Sequence, residues 1–561
     1  MLRINAIKSA AHAADYYEKD DYYADGVSPS AWTGEGAKAL GLDGPIDPDT
    51  FRSTLEGNLP GVERQLGTER DGKWQHKPGW DATFSAPKSV SIMGEVAGDR
   101  RVIDAHERAV ARALQYMERE ASVTRIHDRG ANEVRREVTK NLVVATFRHA
   151  TSRAQDPQTH THAIIMNATQ RSDGAWRSLE SKDLYQLQRT ADAIYKAELA
   201  SECRQLGYSI EITKDGFELR EVPQAQRNHF SERTRQIDTW LKEKGYNPET
   251  VTREIVERAA LATRAAKQHT SMTELRNEWR ADAKTLGFDA AAIAREVAAR
   301  PVPDPEYLYG REREAVQRGL AHLSEREHVF TERELIRASL QYGLDKAATL
   351  SAVEHQIAVL KQNGALRDRE LEGLKAYTTR DAVRLESEIL RLADRLRGGE
   401  ALLNRHEASQ TVERAMSASH YPWTRDQREA TSFLLSAPDR LVCVQGIAGS
   451  AKTTTVLRTV AAEYRAHGYT VRAITPYKDA AGVLGREIGT EGITLARHLL
   501  DAKADRDMGG RQAWMVDEAS LTSAKLARDL LKAADQYSAN VILVGDVRQL
   551  GSIVDPCGLI T

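Results

Sequence analysis

Cysteine is almost absent from the 561-residue chain: Cys203, Cys443 and Cys557 stand far apart, odd in number and with no CxxC pair. That excludes a disulfide framework and a thiolate zinc site, and it fits a reducing cytosol. Long apolar runs are missing too. The N-terminus, MLRINAIKSAAHAADYYEKDD, lacks the apolar stretch of a signal peptide, and no run of 18 apolar residues occurs. Secretion and membrane spanning are therefore not expected. Nor is there an excess of one charge: 79 Lys plus Arg against 81 Asp plus Glu gives a net charge of −2. A generally basic coat protein is excluded, whereas a local basic patch for nucleic acid is not. No fixed-period repeat or low-complexity segment appears. With 41% hydrophobic and 29% charged residues, the length predicts about three to four ordinary globular domains.

What is present changes character along the chain. Up to about residue 220, strand-like runs mix with helices. NLVVATFRHATS (141–152) and HTHAIIMNATQR (160–171) read as two strands joined by a polar loop. Residues 9–25 and 99–121 read as helices, the second from apolar positions spaced three and four apart. A further strand, GFELREV, follows a turn at Lys214–Gly216. From about 225 to 410 the chain is charged, Ala-rich and helical in pattern, with few strand signals. Successive prolines at Pro301, Pro303 and Pro305 forbid a helix through that point, which sets a boundary near 290–305. From about 420 a strand-then-helix rhythm begins, with RLVCVQG, YTVRAITP, WMVDEAS and NVILVGD as buried strands of an α/β domain. The expected division is 1–290, 291–415 and 416–561. The last part holds fewer strands than such a domain needs, so the chain reads as C-terminally truncated.

The segment from Gly446 to Thr453 follows a strand and opens a helix. It departs from GxxxxGK(S/T) only at Ala451. In such a loop the backbone amides around Gly446 and Gly449 wrap phosphate, Lys452 neutralises it, and Thr453 or Thr454 reaches Mg²⁺. Asp517 and Glu518 end an apolar strand. They suit an acid that holds Mg²⁺ and a glutamate that orients the attacking water. Thr424–Gln427 lies about 20 residues before the loop, and Gly545–Leu550 follows a third strand. In this order the four motifs resemble those of superfamily 1 helicases of the RecD type. That resemblance implies a first RecA-like lobe over 420–561, with Gln427 on adenine, Gln549 sensing the γ-phosphate, and ATP with Mg²⁺ as cofactors.

His149, His160 and His162 fall on the two paired strands. His160 and His162, two apart, leave the same face of one strand. Three imidazoles on one face leave open positions on a divalent metal, as a catalytic ion requires. A hydrogen-bonded histidine cluster in a sheet and a non-haem iron site are the alternatives. Tyr16, Tyr17, Tyr22 and Tyr23 weigh against both: a tyrosine with a pKa near 10 needs a metal-polarised phosphate to act as a nucleophile.

The tyrosine pairs, the segment DATFSAPKSVS (81–91) and the FRH…HTH histidines (147–162) together resemble conjugative relaxases of the MobF class, which share the three-histidine fold of rolling-circle initiators. The resemblance covers about 1–290. It implies an α+β domain with an antiparallel sheet and a three-histidine metal site, followed by a linking or degenerate helicase-like helical region (291–415) and the partial α/β lobe. It implies a bacterial, cytoplasmic enzyme that nicks one DNA strand at an origin of transfer through a 5′-phosphotyrosine link and later rejoins it. Tyr16 corresponds to the nucleophile, Tyr22 to the second tyrosine, and Tyr17 and Tyr23 to their neighbours. Asp81 corresponds to the acid that orients a metal-site histidine or helps activate the tyrosine. The ion is Mg²⁺, Mn²⁺ or Zn²⁺. The implied partners are single-stranded DNA with an adjacent hairpin and the accessory and coupling proteins of a conjugation system. A rolling-circle nickase and a non-nicking DNA-binding regulator are the competing readings. For DNA contact, Arg233, Arg235, Lys242, Lys244, Arg264 and Lys267 compete with a plain solvated helical face, and Trp176 and Trp240 with core packing.

Overall fold

The computed structural model describes residues 1–11, 13–14, 29–70, 73–128, 133–248, 250–263, 270–301, 305–324, 327–445 and 452–545. Their contacts form two compact units. The first is Met1–Leu320 with Arg333–Ala358, and the second is Ala321–Glu332 with Val359–Thr561.

The first unit is built on a five-stranded sheet: β1 (Leu2–Ile7), β2 (Ser30–Thr33), β3 (Gly79–Ser85), β4 (Val144–Thr151) and β5 (Pro157–Met166), in the order β1-β3-β5-β4-β2. Every pairing is antiparallel. The two strands expected from the β-branched runs are β4 and β5, but β5 begins at Pro157, inside the polar segment expected to be loop, so the connection is only 152–156. Both faces are covered, as the near-continuous burial of β4 and β5 requires. On one face Trp80, Ala82 and Phe84 of β3 are fully buried together with Ala163 and Ile165. Helices α2 (Lys88–Glu95), α3 (Arg100–Ala121) and α4 (Ser181–Gln205) pack on that side. The α3 helix matches the helix expected over 99–121, and Asp99 caps it by accepting from the Arg101 amide. On the other face, Ala145, Phe147, Ile164 and Met166 form one apolar cluster with Phe51 and Leu55 of α1 (Pro48–Leu55) and with Ala13 and Ala14. The helix expected over 9–25 lies, beyond residue 14, outside the described residues.

The second unit departs from the sequence expectation at one point. The stretch expected to be helical carries a three-stranded antiparallel sheet: β6 (Val329–Thr331), β7 (Leu366–Leu371) and β8 (Leu374–Thr379), in the order β6-β8-β7. Only the first residue of β7 is buried, so the strand has the polar composition of a helix surface. Its signal is the two-residue turn Glu372-Gly373, both with positive φ (51° and 76°), which closes a tight hairpin.

The expected α/β domain follows, with β9 (Leu441–Gln445), β10 (Thr470–Thr475), β11 (Gly492–Thr494), β12 (Gln512–Val516) and β13 (Asn540–Gly545). All pair in parallel, in the order β9-β13-β12-β10-β11. Trp514, Val516, Val541 and Leu543 point into one core, and Ala513, Met515, Ile542 and Val544 into the other. This is the two-sided burial that a parallel sheet demands. Among the described residues no helix is long and apolar enough to cross a membrane.

Candidate metal centre and nucleotide site

The ladder of the first unit aligns the histidines. His149 on β4 pairs with His160 on β5, and His162 pairs with Phe147 on one side and Thr83 on the other. Alternation then sends the side chains of Asp81, Thr83, His149, His160 and His162 to one face. The three rings sit with centroids 5.1–5.2 Å apart. One nitrogen from each lies within 4.8 Å of the others, close enough to share an ion. The rings border a cavity of about 270 Å³ that Thr83, Ser85, Thr151, Ser152, Arg153 and Gln158 complete.

Two rings have their tautomer fixed by neighbours. His160 Nδ1 lies 2.9 Å from the Gln158 carbonyl, and His162 Nδ1 lies 2.9 Å from Asp81 Oδ2. Carbonyl and carboxylate oxygens only accept, so each Nδ1 carries the hydrogen and each Nε2 is left as a basic donor for an ion. Thr83 Oγ1 donates to Asp81 Oδ1 at 3.1 Å and steadies the carboxylate. Burial, then the neighbouring imidazoles, holds His149 well below the ordinary histidine range. Burial, then His162, pushes His160 down to about 4. Both rings are therefore neutral at pH 7 and need lose no proton to bind a cation.

In the second unit the motif strands end along one edge of the parallel sheet. Gln445 is level with Gly545, and Val516 with Leu543. The carboxyl ends of such strands are where α/β sheets bind ligands. Asp517 follows β12 directly, and its side chain accepts from the Glu518 amide at 2.9 Å. Glu518 adopts a left-handed conformation (φ 54°), a costly one for a non-glycine residue. Lys452, Thr453 and Thr454 lie on the π-helical turn Lys452–Leu457. Gln427 forms a capping box with Thr424: each side chain accepts from the other's backbone amide, at 2.9 and 3.3 Å.

The fold thus brings together Asp81, His149, His160 and His162, and separately aligns the strand before Gly446 with Asp517 and Glu518. Tyr16, Tyr17, Tyr22, Tyr23, Gly446, Gly449 and Gln549, together with Arg264 and Lys267, lie outside the described residues. Arg233 is tied to the carbonyls of Ala260 and Thr263, and Arg235 to Glu232. Lys242 and Lys244 are exposed. Trp176 is buried in the core and Trp240 half-buried. Sequence reading missed a groove of about 1160 Å³ whose lining includes Arg64, Arg125, Arg171 and Arg177. These residues come from distant segments, so no local spacing announced it.

Comparison with known proteins matches residues 10–286 to the family described as TrwC relaxase and residues 422–558 to an AAA domain. The chain is 30% identical, over 98% of its length, to the Multifunctional conjugation protein TraI of Escherichia coli (strain K12). The chain belongs to the TrwC relaxase family. The antiparallel sheet with its three histidines is the relaxase part of this family member, and the parallel sheet its AAA domain. The chain spans about a third (31%) of the length of that TraI protein, and 20% of the Probable conjugal transfer protein TraA of Sinorhizobium fredii, to which it is 28% identical. Solved structures similar to this relaxase include conjugative relaxase TrwC in complex with oriT DNA, metal-free (42% identity, TM-score 0.48) and metal-bound (42%, 0.48). Each covers 52% of this chain and is itself covered completely.

Proposed function

We propose that the first unit is a conjugative relaxase that cleaves one strand of DNA at an origin of transfer by tyrosine transesterification and rejoins it after transfer. The observation that carries this reading is the histidine face of the sheet. Ala13 and Ala14 pack in one cluster with Phe147 and Ile164, which flank His149 and His162 on that face. Tyr16 follows Ala14 by two residues, a reach of roughly 7 Å of extended chain. The donor set fits a divalent cation: three imidazoles, two of them with Nδ1 already engaged. When bound there by His149, His160 and His162, the cation supplies charge to polarise the scissile phosphate and offset the build-up in an in-line displacement.

The chain's own residues do the rest. The Tyr16 hydroxyl releases its proton to solvent as its oxygen forms a bond to phosphorus, the bond from phosphorus to the 3′ oxygen breaks, and the leaving 3′ oxygen takes up one proton from solvent, so the proton count is unchanged. The 5′ phosphate stays on Tyr16, so the phosphodiester energy is kept for rejoining without ATP. Tyr22 serves the second transfer, with Tyr17 beside Tyr16 and Tyr23 beside Tyr22. Asp81 orients His162. The arginine-lined groove suits the phosphates of a folded DNA element such as a hairpin next to the cleaved strand. The AAA domain binds ATP and Mg²⁺ through Gly446, Gly449, Lys452, Thr453, Thr454 and Asp517, with Glu518 and Gln549 serving hydrolysis and Gln427 the base. Accessory DNA-binding and coupling proteins complete the system. We assign the relaxase to 1–290, a linking region to 291–415 and the helicase lobe to 416–561.

The test uses single-stranded oligonucleotides tiling the DNA beside the gene. The wild-type chain forms a covalent adduct with one of them, and Tyr16→Phe binds that oligonucleotide without forming it. Full adduct formation by Tyr16→Phe moves the role to another tyrosine. No adduct with any oligonucleotide overturns the reading.

A further inference from the structure

The strand that carries two of the three metal ligands alternates Thr159, His160, Thr161, His162. The histidines face the cavity, and the threonines face the helices behind the sheet. Both threonines are buried, and both hydroxyls are engaged. Thr161 Oγ1 lies 2.9 Å from Nε2 of His106 on α3, and His106 Nδ1 lies 2.8 Å from the Tyr195 hydroxyl on α4. Thr159 Oγ1 donates to Glu95 at the end of α2 (3.3 Å), and its backbone amide to Ser91 Oγ (3.0 Å). His106 is fully buried, and the Tyr195 ring meets both it and Phe84 edge-on.

The regular backbone ladder of β5 ends close to the ligands. On the β3 side the paired register ends at Ser85 and His160, followed by one further bond from the Ala86 amide to the Thr159 carbonyl at 3.0 Å. On the β4 side it runs regularly to the His149–His160 pair and is then broken by a register shift before Thr151 meets Pro157. His160 is thus the last residue in register on both sides. The ligands stand at the end of the regular ladder, at a site that needs them fixed to a fraction of an ångström.

We propose that His106, braced by Tyr195, is a positioning residue for the metal centre: it acts through the Thr161 hydroxyl to fix the pleat of β5 and hence the aim of His160 and His162. This role rests on the metal-dependent reading above. It is separate from ordinary core packing, because it assigns the effect to one hydroxyl rather than to the volume of the side chain. Outer-shell partners of metal ligands typically change metal affinity by about 10–100-fold when removed, and we expect the same range here.

The experiment is a Zn²⁺ titration of the full chain against a chromogenic chelator, with His160→Ala as the baseline for other sites. Thr161→Val keeps the shape and removes the hydroxyl, and it should weaken Zn²⁺ binding by about 10–100-fold. Thr161→Ser keeps the hydroxyl, removes the methyl, and should bind within about threefold of wild type. If Thr161→Val does not fold, Tyr195→Phe, which removes one oxygen from the brace, should lower affinity in the same direction. Wild-type affinity in the folded hydroxyl-deleting variant overturns the proposal. So does a Thr161→Ser variant as weak as Thr161→Val, since the methyl would then be what matters. If wild type and His160→Ala bind Zn²⁺ equally, the metal-centre reading itself fails, and this inference falls with it.

Discussion

His162 donates its Nδ1 hydrogen to Asp81 across two neighbouring strands, at 2.9 Å, and the carboxylate is itself held by Thr83. The pair is formed by register. Asp81 is opposite Ile164, two residues along from His162, so it reaches its partner diagonally on the cavity face.

Asp81→Asn keeps an acceptor oxygen for His162 but removes the carboxylate charge that faces its Nδ1 hydrogen. The expected result is a loss of about 10–100-fold in divalent-metal affinity, with adduct formation restored by added metal. Unchanged affinity in a metal titration would confine Asp81 to another role, such as activating the tyrosine.

Lys452→Ala removes the cation from the phosphate loop. The expected loss of a charge-assisted contact, about 1.5–3 kcal/mol, is roughly a 10–100-fold weakening of ATP binding. It should leave oligonucleotide cleavage intact, because the nucleotide motifs belong to the second unit and the histidines to the first. Binding of a fluorescent ATP analogue and the adduct assay, run on the same preparation, check both halves.

His498 is fully buried against Trp514, with ring centroids 4.3 Å apart. Burial, then Arg472, pushes it down to about 3. The unfolded chain takes a proton at this ring near pH 6.5, while the folded chain resists until about pH 3. The stability contributed by the neutral ring is thus complete above pH 6.5 and is lost progressively as the pH falls toward 3. At pH 5, unfolding of wild type should take up about one more proton than unfolding of His498→Phe, as measured by calorimetry in buffers of different ionisation heat. Equal uptake would mean that the ring is protonated in the folded state.

Gly79 opens β3 with φ +151°, and a Cβ there would sit 2.1 Å from the carbonyl oxygen of Ile165 on β5. Gly79→Ala must move one of the two strands that hold the site. A destabilisation of about 1–3 kcal/mol is expected, read as a lower midpoint in urea. An unshifted midpoint would show that the strands separate freely at this end.

The sequence made the sheet strands legible where burial is two-sided, because both faces of β4, β5, β12 and β13 select apolar or β-branched residues. It made the metal ligands legible because a period of two puts His160 and His162 on one face whatever the rest of the fold does. It failed at β7, whose exposed charges in LRDREL look the same on a strand as on a helix. It also failed at His106, which in sequence is one more residue on the inner stripe of an amphipathic helix. Its role depends on Thr161, 55 positions away. Thr424 and Gln427 teach the converse lesson. A motif that resembles a nucleotide contact is, in the folded chain, also a capping box, and local geometry accounts for those residue types without any ligand.

The alternation of threonine and histidine on β5 has a consequence for how the chain can vary. Slipping this strand by one residue would exchange the two sets: imidazoles would be driven among the helices and hydroxyls would line the cavity. Four side chains would lose their partners at once, on both faces. The metal centre and its backing therefore act together as a register lock. Insertions and deletions in the Ser152–Asp156 connection are tolerable only if the loop absorbs them entirely. Among distant relatives, the parity of the histidine pair against Asp81 on the neighbouring strand should outlast the identity of almost every residue around it.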